Sequence, residues 1–111
     1  MARHVKVQQA IEQIVVRVVE QYRPERIILF GSYAYGTPDA GSDVDMLIVK
    51  DTKERPIDRR VTVRRIVYTP RRGIPFSPLV ITPQELAQRL EMGDPFYHEI
   101  MTQGEVLYAQ P

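Results

Sequence analysis

Cysteine is absent from this 111-residue chain, which excludes disulfides and thiolate metal sites and fits a reducing compartment. No charge of one sign dominates. Fifteen Lys and Arg stand against fourteen Asp and Glu, a formal net charge of +1, so no global field draws the chain to nucleic acid or to a membrane. No apolar run approaches the roughly 18 residues a membrane span needs. Met1-Ala2-Arg3-His4 leads into an amphipathic segment and not into an apolar signal core. Internal repeats and low-complexity tracts are missing as well. What remains is ordinary globular composition, 43% hydrophobic and 26% charged. The expectation is one domain over residues 1–111, soluble, intracellular and cytoplasmic.

Hydrophobic periodicity sets the expected elements. Val7, Ile11, Ile14, Val15, Val18, Val19 and Tyr22 recur at three- and four-residue spacing, a helix over 5–22 that stops at Arg23-Pro24. Arg26 to Phe30 is a short, continuously apolar strand, as expected when both sheet faces are covered. Ser32 is read as the N-cap of a short helix through Tyr35, followed by a polar loop to Ser42. Asp43 to Val49 is a second strand, and Pro56 to about Tyr68 a third, arginine-rich helix. Thr69 to Pro78 reads as a loop and Leu79 to Ile81 as a third strand. Thr82-Pro83-Gln84-Glu85 is a capping box opening a helix to about Met92. Gly93-Asp94-Pro95 starts a last helix ending at Gly104, and Glu105 to Tyr108 reads as an edge strand. This order gives an α/β (α+β) fold, a small mixed sheet packed with helices.

The densest chemistry lies between residues 30 and 45. Gly31-Ser32 ends one apolar run, and Asp43-Val44-Asp45 begins the next. In a strand, residues i and i+2 point to one face, so Asp43 and Asp45 aim two negative charges at one place. Carboxylates this close raise each other's pKa unless a cation lies between them. Mg²⁺ is suited to that place, because it takes one or two carboxylates plus substrate phosphates. A Gly-Ser corner offers backbone N–H groups and a hydroxyl to phosphate oxygens.

The run Ile28-Leu29-Phe30-Gly31-Ser32-Tyr33-Ala34-Tyr35-Gly36, with Gly41-Ser42-Asp43-Val44-Asp45-Met46-Leu47-Ile48-Val49, closely resembles the signature of the DNA polymerase β-like nucleotidyltransferase superfamily. The chain's small size, Gly93-Asp94-Pro95-Phe96 and Gly104 to Tyr108 resemble its minimal nucleotidyltransferase (MNT) branch. The resemblance implies a polymerase β-like nucleotidyltransferase fold and an enzyme that moves a nucleoside monophosphate, AMP above all, from an NTP to an acceptor. It further implies that Gly31 and Ser32 bind the nucleotide, and that Asp43 and Asp45 are catalytic and ligate Mg²⁺. The partner it implies is a HEPN-domain protein, a helical RNase toxin toward which the MNT chain acts as antitoxin, by modification or by masking. A second copy of the chain is a further candidate partner.

One departure bears on chemistry. Catalytic members place a third carboxylate on the strand before the Thr-Pro helix start. Ser77 occupies that position here, and no Asp or Glu lies between residues 70 and 84. Asp58 or Glu85 would replace it only by an unusual chain path. The alternative reading is therefore a catalytically weak or inactive MNT-fold module that neutralises its partner by contact. A third reading takes Arg59, Arg60, Arg64, Arg65, Arg71 and Arg72 as an RNA-binding surface rather than a solvated helix face, although no aromatic interleaving supports stacking on single strands. Asp39 and Asp51 read as loop charges, His4 and His98 as structural or exposed, and Tyr33 and Tyr35 as local packing or flanks for a base. Phe96, Tyr97, Ile100, Met101, Val106 and Leu107 read as core or as partner surface.

Overall fold

The computed structural model describes residues 4–39 and 41–111. Met1-Ala2-Arg3, read above as no signal core, and Ala40 of the polar loop lie outside them. Helix α1, Val5–Tyr22, buries Ala10, Ile11, Ile14, Val18 and Tyr22 along one stripe. The His4 ring caps its start, accepting from the Lys6 N–H at 3.2 Å. It ends where Arg23 turns left-handed at φ 53°, its N–H donating to the carbonyls of Val18 and Val19.

The chain continues through β1 (Arg26–Phe30), α2 (Ser32–Tyr35), β2 (Val44–Val49), α3 (Pro56–Ile66), β3 (Phe76–Ile81), α4 (Pro83–Glu91), α5 (Pro95–Gln103) and β4 (Glu105–Ala109). The described strands form one sheet in the order β3-β2-β1-β4. Strand β1 is antiparallel to β2 and β4, while β2 and β3 are parallel. The mixed sheet expected from the sequence is the one formed.

Period-two alternation sorts the sheet into two packed faces. Ile27, Leu29, Val44, Met46 and Ile48 join Ile11, Ile14, Val18 and Val63 on the α1/α3 face. Ile28, Leu47, Val49 and Ile81 join Leu86 and Ile100 on the α4/α5 face. Each such aliphatic side chain contributes about 1.5–3 kcal/mol on leaving water, so the central strands form the rigid part of the molecule. Asp45 and Ser77 share the side-chain parity of the second face.

Several boundaries differ from expectation, the first being that β2 begins at Val44 and leaves Asp43, expected inside it, just ahead of the strand. Strand β3 begins at Phe76, inside the stretch expected to be loop, because Val44↔Phe76, Asp45↔Ser77 and Met46↔Pro78 extend its ladder with β2. Pro75 and Ile81 turn their carbonyls to the Val44 and Lys50 N–H groups. The backbone groups of the intervening even positions therefore point away from β2 while Phe76 and Val80 keep their side chains buried, and Pro78 turns its donorless nitrogen to the open edge, where proline is tolerated. Helix α3 stops at Ile66, ahead of a turn that brings the Arg71 N–H to the Val67 carbonyl at 2.9 Å. The N-cap of α2 is Gly31, at φ 75°, and not Ser32, which is the first helical residue and makes no capping bond. The capping box at Thr82 and Glu85 forms as expected.

Candidate active site

The first strand delivers a glycine to its C-terminal end, and the second begins with an acid beside it. Phe30 pairs with Asp45 across β1 and β2, and Asp45 pairs with Ser77 across β2 and β3. Three residues thus stand in a row across three strands, each step about 4.7–4.9 Å. Gly31 follows Phe30 directly. A Cβ built on Gly31 would collide with Asp45 Oδ2 and stand 3.2 Å from Asp45 Cγ. The Asp45 carboxylate therefore lies against the Gly31 backbone. Ala34 and Tyr35 both donate to the Gly31 carbonyl at 3.0 Å, and Thr37 donates to that of Ser32 at 3.0 Å. These bonds hold the corner in shape.

Asp43 sits one residue ahead of β2 and is exposed, while Asp45 is half-buried. Burial first, and the charge of Asp43 second, push the Asp45 carboxyl above the ordinary carboxylate range. Among the described residues neither acid takes a hydrogen bond or ion pair. The approach to Asp43 is built by Asp39, which accepts from the Gly41 N–H at 2.9 Å while its own N–H donates to Ser42 Oγ at 2.9 Å. The loop charge expected at Asp39 is thus a turn-former that sets the path into the site.

The donor set suits a hard divalent ion. Two unpaired carboxylates with mutually unfavourable charge leave room for phosphate oxygens to complete octahedral coordination. Among the described residues no group of three or more His, Cys, Asp or Glu converges, so any ion here depends on the ligand for its remaining oxygens.

Neither replacement acid reaches this corner. Asp58 Oδ2 pairs with Arg55 Nε at 2.9 Å. Glu85 accepts from Arg59 at 2.7 and 3.3 Å and from the Thr82 N–H at 2.9 Å. Arg59 also corrects the solvated-face reading of the arginine stretch. It is buried, and donates to the Glu54 carbonyl at 2.9 Å and the Val80 carbonyl at 3.5 Å. On α3 it shares a stripe with Val63, four residues on, which turns it inward. Arg60, Arg64, Arg65 and Arg72 stay exposed. Tyr68, 74% exposed, stands between Arg65 and Arg71, so the stretch does carry an exposed aromatic. Arg71, Arg72 and Tyr68 line a cleft of about 350 Å³.

Two aromatic features went unrecognised as neighbours of the site. Phe96, at the start of α5, packs edge-on against Phe30 with ring centroids 5.7 Å apart, and Tyr97 packs on Phe96 at 5.3 Å. Phe96 is 46% exposed although its partner Phe30 adjoins the acid row. Only the packing of α5 on β1 reveals this, because the two rings lie 66 positions apart in sequence. Tyr33 packs against the α1-side core, whereas Tyr35 is exposed. His4 caps a helix and His98 bonds the Leu90 carbonyl at 2.9 Å, both structural.

Residues 11–97 match the sequence pattern of the nucleotidyltransferase domain family. The chain belongs to that family. Within this nucleotidyltransferase domain, 85 residues are 41% identical to a Methanocaldococcus jannaschii protein named "Putative protein adenylyltransferase MJ1305", covering 74% of the chain and 56% of that relative. The chain therefore spans little more than half the length of that protein. A second relative from the same organism, "Putative protein adenylyltransferase MJ0604", is 29% identical over 103 residues, 91% of the chain and 97% of the relative. The crystal structure of a putative nucleotidyltransferase from Sulfolobus solfataricus superposes with a TM-score of 0.63 over 98% of the chain and 91% of that structure, at 19% identity. The nucleotidyltransferase fold expected from the sequence is the fold the domain adopts.

Proposed function

We propose that the domain transfers an adenylyl group from ATP to a hydroxyl of a partner protein, with Mg²⁺ as cofactor. The apposition of Gly31 and Asp45, with Asp43 beside them, is the observation that carries this reading. Asp43 and Asp45 would hold the ion, and the Gly31-Ser32 corner would hold the triphosphate. The ion would neutralise charge developing on the phosphate oxygens. The protein's own contribution is positional. The hydrogen-bonded corner fixes the phosphates, and the core-anchored start of β2 fixes the acids. Phe96 offers an exposed ring where a base can stack. The names of the archaeal relatives support protein as the acceptor class and AMP as the group moved. None of the helices among the described residues is long and apolar enough to cross a membrane. ATP as donor agrees with the cytoplasmic setting expected above.

The resemblance to MNT chains suggests a HEPN-domain protein as acceptor. Incubating the chain with α-labelled ATP, Mg²⁺ and such a protein should label the partner, and Asp43→Asn or Asp45→Asn should abolish the label. Labelling that persists at the parent rate in both variants overturns the assignment.

Ser77 favours a second reading. It stands in register with Asp45 where a third acid is expected, and residues 59–84 contain no Asp or Glu. On that reading the domain masks its partner by contact alone. Asp45→Asn would then neutralise the partner as well as the parent chain does.

A further inference from the structure

The place of Ser77 beside Asp45 also bears on what the site can act upon. The strand partner of Ser77 is Asp45, whose other strand partner is Phe30, the residue before Gly31. Leu79 and Ile81, two and four residues after Ser77, pack on the α4/α5 face with Leu47 and Val49, two and four residues after Asp45. The Ser77 hydroxyl and the Asp45 carboxylate therefore rise from the same face of adjacent strands, about 4.7–4.9 Å apart at the backbone. Ser77 is half-buried, and its hydroxyl has no hydrogen bond among the described residues. Asp58 and Glu85 are held in ion pairs elsewhere.

The row has direction. The glycine corner lies on one side of Asp45 and the Ser77 hydroxyl on the other. Phosphoryl and nucleotidyl transfers pass through a phosphorus with attacking and leaving oxygens roughly in line. With the β- and γ-phosphates on the Gly31 side, the α-phosphorus would lie over Asp45 and its open apical side would face β3. A hydroxyl within about 3–3.5 Å of that phosphorus is positioned to attack. The geometry points to Ser77 as an adenylyl acceptor within the chain itself: the domain adenylylates its own Ser77. This inference rests on the placement of the triphosphate proposed above.

In this step the Ser77 oxygen forms a bond to the α-phosphorus of ATP. The bond from that phosphorus to the oxygen bridging the β-phosphate breaks, and pyrophosphate leaves with that oxygen and the bonding pair. The hydroxyl proton passes to water. The product is a serine–AMP phosphodiester, which occupies the acceptor side of the site.

The test is to incubate the chain with α-labelled ATP and Mg²⁺ without any partner and to map the label by peptide mass spectrometry. The expected result is one AMP on the peptide holding Ser77, lost in Ser77→Ala and kept in Ser77→Thr, with Ser77→Ala still binding ATP·Mg²⁺ by calorimetry. A chain that binds ATP·Mg²⁺ and labels a partner but carries no AMP, or carries it elsewhere, overturns this inference and spares the proposed function. A chain that binds no ATP·Mg²⁺ overturns both. Placement has its own readout without turnover. Ser77→Asp should raise affinity for Mn²⁺ alone on the order of tenfold, by adding a third carboxylate to the pair. Unchanged Mn²⁺ affinity in a folded Ser77→Asp chain would show that the hydroxyl faces away, and would also overturn the inference.

Discussion

The Asp45 carboxylate occupies the space that a side chain at position 31 would need. Gly31 holds φ 75°, and a Cβ there would stand 3.2 Å from Asp45 Cγ and 3.4 Å from Asp45 Cβ. Backbone conformation and close approach thus demand glycine independently. Gly31→Ala is expected to lose about 1–3 kcal/mol from strain in the left-handed region and, because Asp45 must swing aside, to weaken ATP·Mg²⁺ binding at least tenfold. Chemical denaturation and calorimetry read the two effects. Unchanged affinity would mean that the corner does not carry the phosphates.

The acid pair makes a pH prediction with an unusual sign. Burial and Asp43 raise the folded-state pKa of Asp45 above its unfolded value. The folded state then binds more protons in the window between the two values, so stability falls as pH rises from the ordinary Asp value through the raised one. Asp45→Asn should remove that slope and stabilise the ligand-free chain at neutral pH by about 1 kcal/mol or less, since the group is half-exposed. Millimolar Mg²⁺ should raise the melting temperature of the parent chain and leave that of the variant unmoved. A parent chain indifferent to Mg²⁺ would count against a cation site.

Arg59 predicts the opposite slope at a different place. Its hydrogen bond holds the Glu85 carboxyl below the ordinary range. That contribution is complete above the unfolded Glu value and disappears as pH falls through the lowered one. Arg59 is 7% exposed and Glu85 41% exposed at the side chain, so the pair is worth less than a fully buried one. Arg59→Ala should nonetheless destabilise by about 2 kcal/mol or more, because it leaves the Glu54 and Val80 carbonyls without their donor and removes packing. Urea unfolding at pH 7 against pH 4 checks both the size and the pH sign. A loss below the error of the measurement would show Arg59 to be an ordinary surface cation.

Phe96 tests the base platform. Phe96→Ala should weaken ATP binding by about 1–3 kcal/mol if a base stacks there. Inorganic triphosphate binding should be unchanged, because the ring does not meet the phosphates. Equal weakening of both ligands would indicate that the substitution disturbs Phe30 and the strand end instead.

Much of this was legible in linear form. The periodicity of 5–22, the capping box at Thr82 and Glu85 and the proline and glycine stops are local, since caps, turns and amphipathic stripes involve residues within four positions of one another. The Gly31-Ser32 and Asp43-Val44-Asp45 motifs were legible for the same reason, as short contiguous runs, although β2 begins only at Val44 and leaves Asp43 just ahead of the strand. What the chain could not show in one dimension was register. Pairing with β2 drew Phe76 to Pro78 into a strand, set Ser77 beside Asp45, carried Phe96 onto Phe30 and turned Arg59 inward to Glu85. Each of these is a contact across a sheet or between helices, where neighbours are chosen by ladder alignment and by which stripe faces the core. Local composition thus determined the elements and the site's ingredients, and only tertiary packing decided which of those ingredients meet.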